Sequence, residues 1–339
     1  MFQPESNNGL TNHVPMVISA LKALQASEKQ INDYRDLNCQ KMAVMTGSEK
    51  FINSDLELET WLGKKQNFIG VVNYITKQLE RSGKEALLNR YLPMLAEGIS
   101  AGAMHPVIRL GHAVQDDNSE EIVQALSYWV WAFQQLPWPK YGNTTTAMPA
   151  EIIKHLLVGV DWPTERIGKH LKLGLITEEF EAVVKTEAYQ KMSINPGSAD
   201  QISLEGLEKL AVNALWMHDD FTLLHGVTAL QAIRVISSVA NVDSLILPMW
   251  RALAVAWLSK GFRWQQANLV ERTLELSLSE MINIARQGTN DHTVKLVAVC
   301  VAEFERTNQT IYLQLAERAI LKDVSLEKGI KHELRNRVP

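Results

Sequence analysis

The sequence is poor in cysteine and has no strong excess of either charge. Cys39 and Cys300 are the only two cysteines among 339 residues, so we expect neither a disulfide framework nor a thiolate metal site. The formal net charge is −4, from 34 basic and 38 acidic residues. Because so even a balance creates no strong electrostatic field, neither nucleic acid nor an anionic membrane surface is expected as a partner.

Long apolar runs and dinucleotide-binding motifs are also missing. The most apolar stretches, such as 245–258, are interrupted by polar residues such as Arg251 before they reach the length that spans a bilayer. No apolar targeting leader follows Met1. These absences predict a cytoplasmic protein without a membrane partner. No Gly-x-Gly-x-x-Gly follows a strand-like run, so neither a flavin nor a nicotinamide in a Rossmann site is expected.

Strand-like alternation is scarce, whereas apolar residues recur at helical spacing along the whole chain. The sequence therefore predicts an all-α fold. A hydrophobic content of 46% is enough to bury a core, and we expect one large helical-bundle domain over 1–339 with a frayed tail at about 327–339. Residues 104–133 and 224–257 share a plan, a histidine at an apolar helix followed by a tryptophan-bearing helix. They are interpreted either as duplicated halves or as two unrelated helical hairpins.

The apolar stripes also place individual helices. Asn118 or Ser119 is expected to cap one of them, because acidic residues follow where the helix dipole favours them. The first predicted helices are 14–26, 56–62, 68–82, 84–97 and 106–115, and the predicted loops are 137–149 and 193–203.

Four of the nine histidines are flanked by apolar residues and are candidates for an inward-facing site: His13, His105, His225 and His292. His112 lies two helical turns after His105, on the same face, as a second ligand or a neighbour of the site. His155 follows a lysine and is expected in solvent.

Lys295 lies three residues after His292, so the two side chains share one helix face. It begins a long apolar run. Such a lysine either extends to solvent or is buried, and a buried amine must lose its charge or find a partner. A neutral amine can take up carbon dioxide and become a carbamate, whose oxygens can bind a cation.

Six short motifs carry a resemblance to a known family, in an order and spacing that are more specific than any one of them. The chain resembles the questin oxidase-like family, and the likeness is expected to span nearly its whole length. The motifs are Asn12–Pro15, Trp61–Gly63, Glu97–Gly98, His105–Gly111, Phe221–Thr228 and His292–Leu296.

The resemblance implies an oxidoreductase, similar to fungal enzymes that oxidatively open aromatic polyketides such as anthraquinones in Baeyer–Villiger-like oxidations. It implies non-haem iron (Fe2+), dioxygen and an aromatic, quinone-like substrate, with an external NADPH-linked reductant as an alternative electron source. The residues that it implies are the metal ligands His13, His105, His225, His292 and Lys295, of which His105, His225 and Lys295 are also catalytic.

Four further residues are expected beside the metal or in the substrate pocket: Arg109, His112, Trp129 and Phe221. Relatives often have histidine where this chain has Met16 and Arg109, which puts the substrate in doubt more than the metal. For the aromatic side chains, plain core packing is the competing interpretation.

Two other functions stay open. His218-Asp219 matches the dyad of a metal-dependent phosphohydrolase of the HD type, in which such residues hold two divalent ions. Alternatively, the chain is a non-enzymatic helical scaffold that binds no metal. Metal content distinguishes the three functions.

Overall fold

The computed structural model describes residues 3–6, 9–39, 49–169, 171–197, 201–264 and 273–335. Within these ranges the regular structure is helical, and the extended pairing consists of two isolated bridges, Glu5 with Thr11 and Thr145 with Pro196. The predicted all-α fold is confirmed. In the described part of the chain, no helix combines the length and the apolar character that crossing a membrane requires.

The helices follow one another along the chain with few long interruptions. They are α1 Val14–Ala23, α2 Glu28–Cys39, α3 Asp55–Glu59, α4 Phe68–Leu95, α5 His105–Gln115, α6 Ser119–Ala132, α7 Pro149–His155, α8 Thr164–Lys169, α9 Ile176–Val184, α10 Glu187–Gln190, α11 Leu204–His218, α12 Phe221–Ile236, α13 Asp243–Lys260, α14 Leu278–Ala285, α15 Asp291–Thr307 and α16 Thr310–Arg335.

The chain divides into two compact units. The first unit comprises Met1–Asn12 and Met42–Ala267, and the second comprises His13–Lys41 and Asn268–Pro339. The expectations of one domain over 1–339 and of an internal duplication stay predictions. Helix α16 continues to Arg335, so it includes much of the predicted tail, and 336–339 lie outside the described residues.

Local sequence signals explain several helix boundaries of the first unit. The predicted helices 68–82 and 84–97 become one element, α4, with a kink at Gly83, where φ is 77° and ψ is 171°. Asn118 caps α6 as predicted, because its side chain accepts a hydrogen bond from the Glu121 amide. The Asp220 side chain caps α12 in the same way, accepting from the amides of Thr222 and Leu223. These caps fix where α6 and α12 begin.

Helix α5 is buried along nearly its whole length, from His105 to Val114. It packs against α6 and α12. At Gly111 the backbone comes so close to α12 that an added Cβ atom would lie 2.4 Å from the Cβ atom of Ala232. Glycine is therefore required there by close helix packing.

In the second unit, α15 packs against both α1 and α16, and α2 packs against α1. Helix α2 was missed in the sequence because Ile31 is its only buried residue. A helix that is polar almost all round has no apolar stripe by which it could be recognised.

Candidate functional site

A left-handed turn leads into His105. Gly102, Ala103 and Met104 have φ angles of 49°, 56° and 68° and ψ angles of 36°, 45° and 4°. Left-handed backbone costs an L-residue with a Cβ atom roughly 1–2 kcal/mol. Ala103 and Met104 are both buried, so the surrounding packing must hold them there. Strain of this kind is concentrated at functional sites.

The first unit brings two of the predicted ligands together. The His105 and His225 ring centroids are 4.8 Å apart, and the rings are inclined at 74°. Gly111 lies six residues after His105 on α5, and Ala232 lies seven residues after His225 on α12. These two residues are also in contact. Because the second contact lies further toward the C-terminus of both helices than the first, α5 and α12 run parallel. Their N-terminal parts therefore hold the two imidazoles side by side.

Backbone carbonyl groups orient both rings. His105 Nδ1 lies 2.5 Å from the Gly102 carbonyl oxygen, and His225 Nδ1 lies 2.8 Å from the Phe221 carbonyl oxygen. Since a carbonyl oxygen only accepts hydrogen bonds, both Nδ1 atoms donate. In a neutral imidazole the lone pair is then on Nε2. This is the arrangement in which histidine binds metal ions through Nε2 in proteins.

Four other predicted residues of the site lie in the same unit. Phe221 is 53% exposed, and its ring stands edge-on to His225 with 4.9 Å between the centroids. Arg109 is buried and its guanidinium donates to both carboxylate oxygens of Glu121.

Trp129 and His112, like Arg109, are buried. The indole N–H of Trp129 donates to the Gly98 carbonyl oxygen at 3.0 Å, which suits core packing. His112 is buried on α5. The role of these four residues at a metal or a substrate stays a prediction.

The second unit brings together the other predicted ligands. The His13 and His292 ring centroids are 4.5 Å apart, and the rings are nearly perpendicular. His13 Nδ1 lies 3.2 Å from Asp291 Oδ2, and the Tyr34 hydroxyl donates to Asp291 Oδ1 at 2.7 Å. The Asp291 carboxylate thus orients His13 as the carbonyl groups orient the rings of the first unit.

Burial and charge set the ionisation of this cluster. Burial lowers the pKa of His13 to about 4, the charge of Lys295 acts in the same direction, and Asp291 opposes both. Burial acts to raise the pKa of Asp291, but the hydrogen bonds from His13 and Tyr34 outweigh it and keep that pKa below its usual value. Burial and Asp291 together raise the pKa of Tyr34. At neutral pH the cluster therefore contains a neutral imidazole donating to a carboxylate.

Lys295 is buried, with a relative exposure of 2%. The sequence left open whether this side chain extends to solvent or is buried, and in the structure it is buried. Burial lowers the pKa of Lys295 to about 7, against the opposing effect of the Asp291 charge. A substantial fraction of the amine is then neutral at neutral pH, which is the form that reacts with carbon dioxide.

Replacing Lys295 by methionine is expected to stabilise the metal-free protein at pH 7 and to remove a pH dependence. Above pH 7 the folded amine loses its proton, whereas the unfolded amine keeps its proton up to about 10.5. Unfolding then takes up a proton, so the stability of the wild type rises with pH across this range. One pKa unit corresponds to about 1.4 kcal/mol, so the gain of Lys295→Met at pH 7 should amount to a few kcal/mol.

Urea unfolding at intervals of about one pH unit, from about pH 6.5 to about pH 9, measures how the free energy of unfolding changes with pH. Lys29→Met is the matched control, because the Lys29 side chain is 82% exposed and belongs to the same unit. Equal pH slopes for the wild type and Lys295→Met would show that Lys295 does not titrate in this range.

The His218-Asp219 dyad has a different environment. The His218 ring stacks on Phe262 at 4.1 Å and stands edge-on to Trp257. Asp219 is exposed at the end of α11, with a φ of 45°. Among the described residues, neither belongs to a group of three or more histidine, cysteine or acidic side chains close enough to share a metal ion. His155 is exposed, which confirms the prediction that it lies in solvent.

Sequence reasoning missed the groups that orient the proposed ligands. Asp291 could have been noticed, since it precedes His292 directly and lies one helical turn before Lys295. Tyr34 could not, because it belongs to the unrecognised helix α2. The left-handed turn had only Gly102 as a signal.

Comparison with known proteins gives one result. Residues 10–165, slightly less than half of the chain, match the family model described as questin oxidase-like, which supports the predicted family. His13 and His105 lie within the matched range, and His225, His292 and Lys295 lie after it. No curated protein matches the chain.

Proposed function

We propose that the protein is an iron-dependent oxygenase, because residues 10–165 match the questin oxidase-like family model, which suggests an oxidoreductase. It would oxidise or cleave an aromatic, quinone-like small molecule with dioxygen. The proposed ligands are His13, His105, His225, His292 and Lys295, the set that the family resemblance implies.

One observation carries the proposal. Three of the four proposed histidine ligands have Nδ1 directed at an acceptor, a carbonyl oxygen for His105 and His225 and a carboxylate for His13. Such hydrogen bonds fix the tautomer that offers Nε2 to a metal ion, and they are typical of metal-binding histidines. The donor set therefore fits a metal ion.

The chemistry of the donors favours iron over zinc. Four imidazoles and one oxygen donor exceed the four ligands of a closed tetrahedral zinc site, and nitrogen with a hard anion suits iron. Lys295 would supply the anion as a carbamate. Its burial favours the neutral amine from which a carbamate forms.

Iron, when bound, would supply the one-electron chemistry that activates dioxygen. The protein's own task is to hold the ligand rings, to exclude water and to position an electron-rich aromatic substrate. Phe221 supports such a substrate, because its half-exposed ring stands edge-on to His225 and offers a face for aromatic stacking. Asp291 would keep the proton of His13 on Nδ1 throughout.

Metal analysis of protein purified without a histidine tag tests the proposal. One iron per chain is expected, together with dioxygen consumption when a hydroquinone is added. With isotope-labelled bicarbonate, the wild type should show a carbamate resonance that Lys295→Met lacks. Iron with an unmodified Lys295 amine would remove the carbamate from the proposal.

Other metal contents would contradict the proposal and select a rival. Two divalent ions per chain would favour the phosphohydrolase, and no metal would favour the non-enzymatic scaffold. The stacking of His218 on Phe262 gives the phosphohydrolase no support.

A further inference from the structure

The Tyr128 hydroxyl lies directly against the turn that precedes His105. Tyr128 is on α6 and has no solvent exposure. A Cβ atom added to Gly102 would lie 2.4 Å from the Tyr128 hydroxyl oxygen. The hydroxyl therefore occupies the space beside the Gly102 Cα atom, at the first residue of the left-handed turn.

Two polar groups fix this hydroxyl in place. It donates to Glu5 Oε1 at 3.0 Å, and it lies 2.9 Å from Thr11 Oγ1. A phenol has one proton and the carboxylate only accepts, so the Thr11 hydroxyl is the donor in the second bond. Lys65 Nζ donates to the other Glu5 oxygen at 3.0 Å. The carboxylate that accepts from the phenol is thus itself held.

The position of Gly102 in turn determines where the acceptor of the His105 ring lies. The Gly102 carbonyl oxygen accepts the hydrogen bond from His105 Nδ1, and the same residue touches the Tyr128 hydroxyl. Ala103 and Met104, which connect Gly102 to His105, are in left-handed backbone conformations that L-residues adopt only under constraint. A displacement of Gly102 would therefore move the acceptor that determines which ring nitrogen of His105 carries the proton.

We propose that Tyr128 is a positioning residue: by fixing Gly102 it keeps the His105 proton on Nδ1, so that Nε2 carries the lone pair through which the ring would bind a metal ion. This inference rests on the proposed function, since it assigns Tyr128 a role at a ligand of the proposed iron. Glu5 and Thr11 act with Tyr128, because they determine where its hydroxyl oxygen lies.

The test compares Tyr128→Phe with Tyr189→Phe. Tyr189 is equally buried, and its hydroxyl donates to the Pro137 carbonyl oxygen at 2.7 Å. Both variants lose one buried phenol oxygen. Ring nitrogen resonances of isotope-labelled histidine are recorded in metal-free protein, and the His105 signals are identified by their loss in His105→Gln.

The wild type and Tyr189→Phe are expected to show His105 protonated on Nδ1, whereas Tyr128→Phe should show a mixture of both tautomers. Anaerobic titration with Fe2+ should give an affinity about tenfold weaker for Tyr128→Phe, a typical effect of losing support for a ligand. An unchanged tautomer in Tyr128→Phe, or the same mixture in both variants, would overturn the inference. A tautomer shift in a protein whose wild type binds no Fe2+ would support the positioning role and refute the iron proposal alone.

Discussion

Replacing His105 or His225 by alanine is expected to reduce the iron content of the purified protein to background. Each substitution removes one Nε2 donor from the pair whose ring centroids are 4.8 Å apart. The hydrogen-bonded orientation of both rings belongs to the folded apoprotein, so the remaining histidine cannot turn to replace the lost one without breaking its own bond. Elemental analysis of the variants, purified without a tag and after iron reconstitution, measures the effect.

Two controls make this prediction specific. His155→Ala should retain full iron, because His155 is exposed at the end of α7. His218→Ala should also retain it, which separates the oxygenase from the phosphohydrolase that would use the dyad. Full iron in both His105→Ala and His225→Ala would eliminate the proposed ligands.

Gly102→Ala is expected to be the most destabilising single-methyl substitution proposed for this protein. At a φ of 49° the added Cβ atom brings the left-handed penalty of roughly 1–2 kcal/mol. It would also lie 2.4 Å from the Tyr128 hydroxyl oxygen, and such overpacking costs typically about 1–3 kcal/mol. The free energy of unfolding in urea should therefore fall by roughly 2–5 kcal/mol.

Gly159→Ala separates the two contributions. Gly159 has a φ of 71°, but an added Cβ atom there would meet nothing within 4 Å, so only the backbone penalty applies. Gly102→Ala should reduce the free energy of unfolding less in Tyr128→Phe than in the wild type, because the clashing oxygen is gone. If Gly102→Ala lowered the free energy of unfolding no more than Gly159→Ala does, the Tyr128 hydroxyl would not constrain the turn.

The helices were predictable where one face of a helix is apolar or a side chain caps its first turn. Asn118 is an example, because the acidic residues after it and its own amide oxygen both favour a helix start. The kink of α4 at Gly83 was predicted as a break between two helices. Helix α2 was not predictable in this way, since its single buried residue, Ile31, creates no period.

Of the proposed site, only the side chains that would bind the metal ion were open to prediction from the sequence. Histidines in apolar surroundings and a lysine one turn from His292 are visible in the sequence. The acceptors that orient these rings are a carboxylate and two backbone carbonyl groups, at Asp291, Gly102 and Phe221. A carbonyl group is present at every residue, so no residue type identifies the ones that matter. Tyr128 was visible only as aromatic bulk on α6.

The turn at Gly102–Met104 has a further consequence, which concerns chirality. Over three residues the backbone follows the mirror image of an ordinary helical turn. D-amino acids adopt these dihedral angles without strain, and glycine, being achiral, adopts either hand equally well. Protein synthesis supplies only L-residues and glycine, yet Ala103 and Met104 both carry a Cβ atom. The chain before His105 thus contains two L-residues in a backbone conformation that only their enantiomers, or glycine, would adopt without strain.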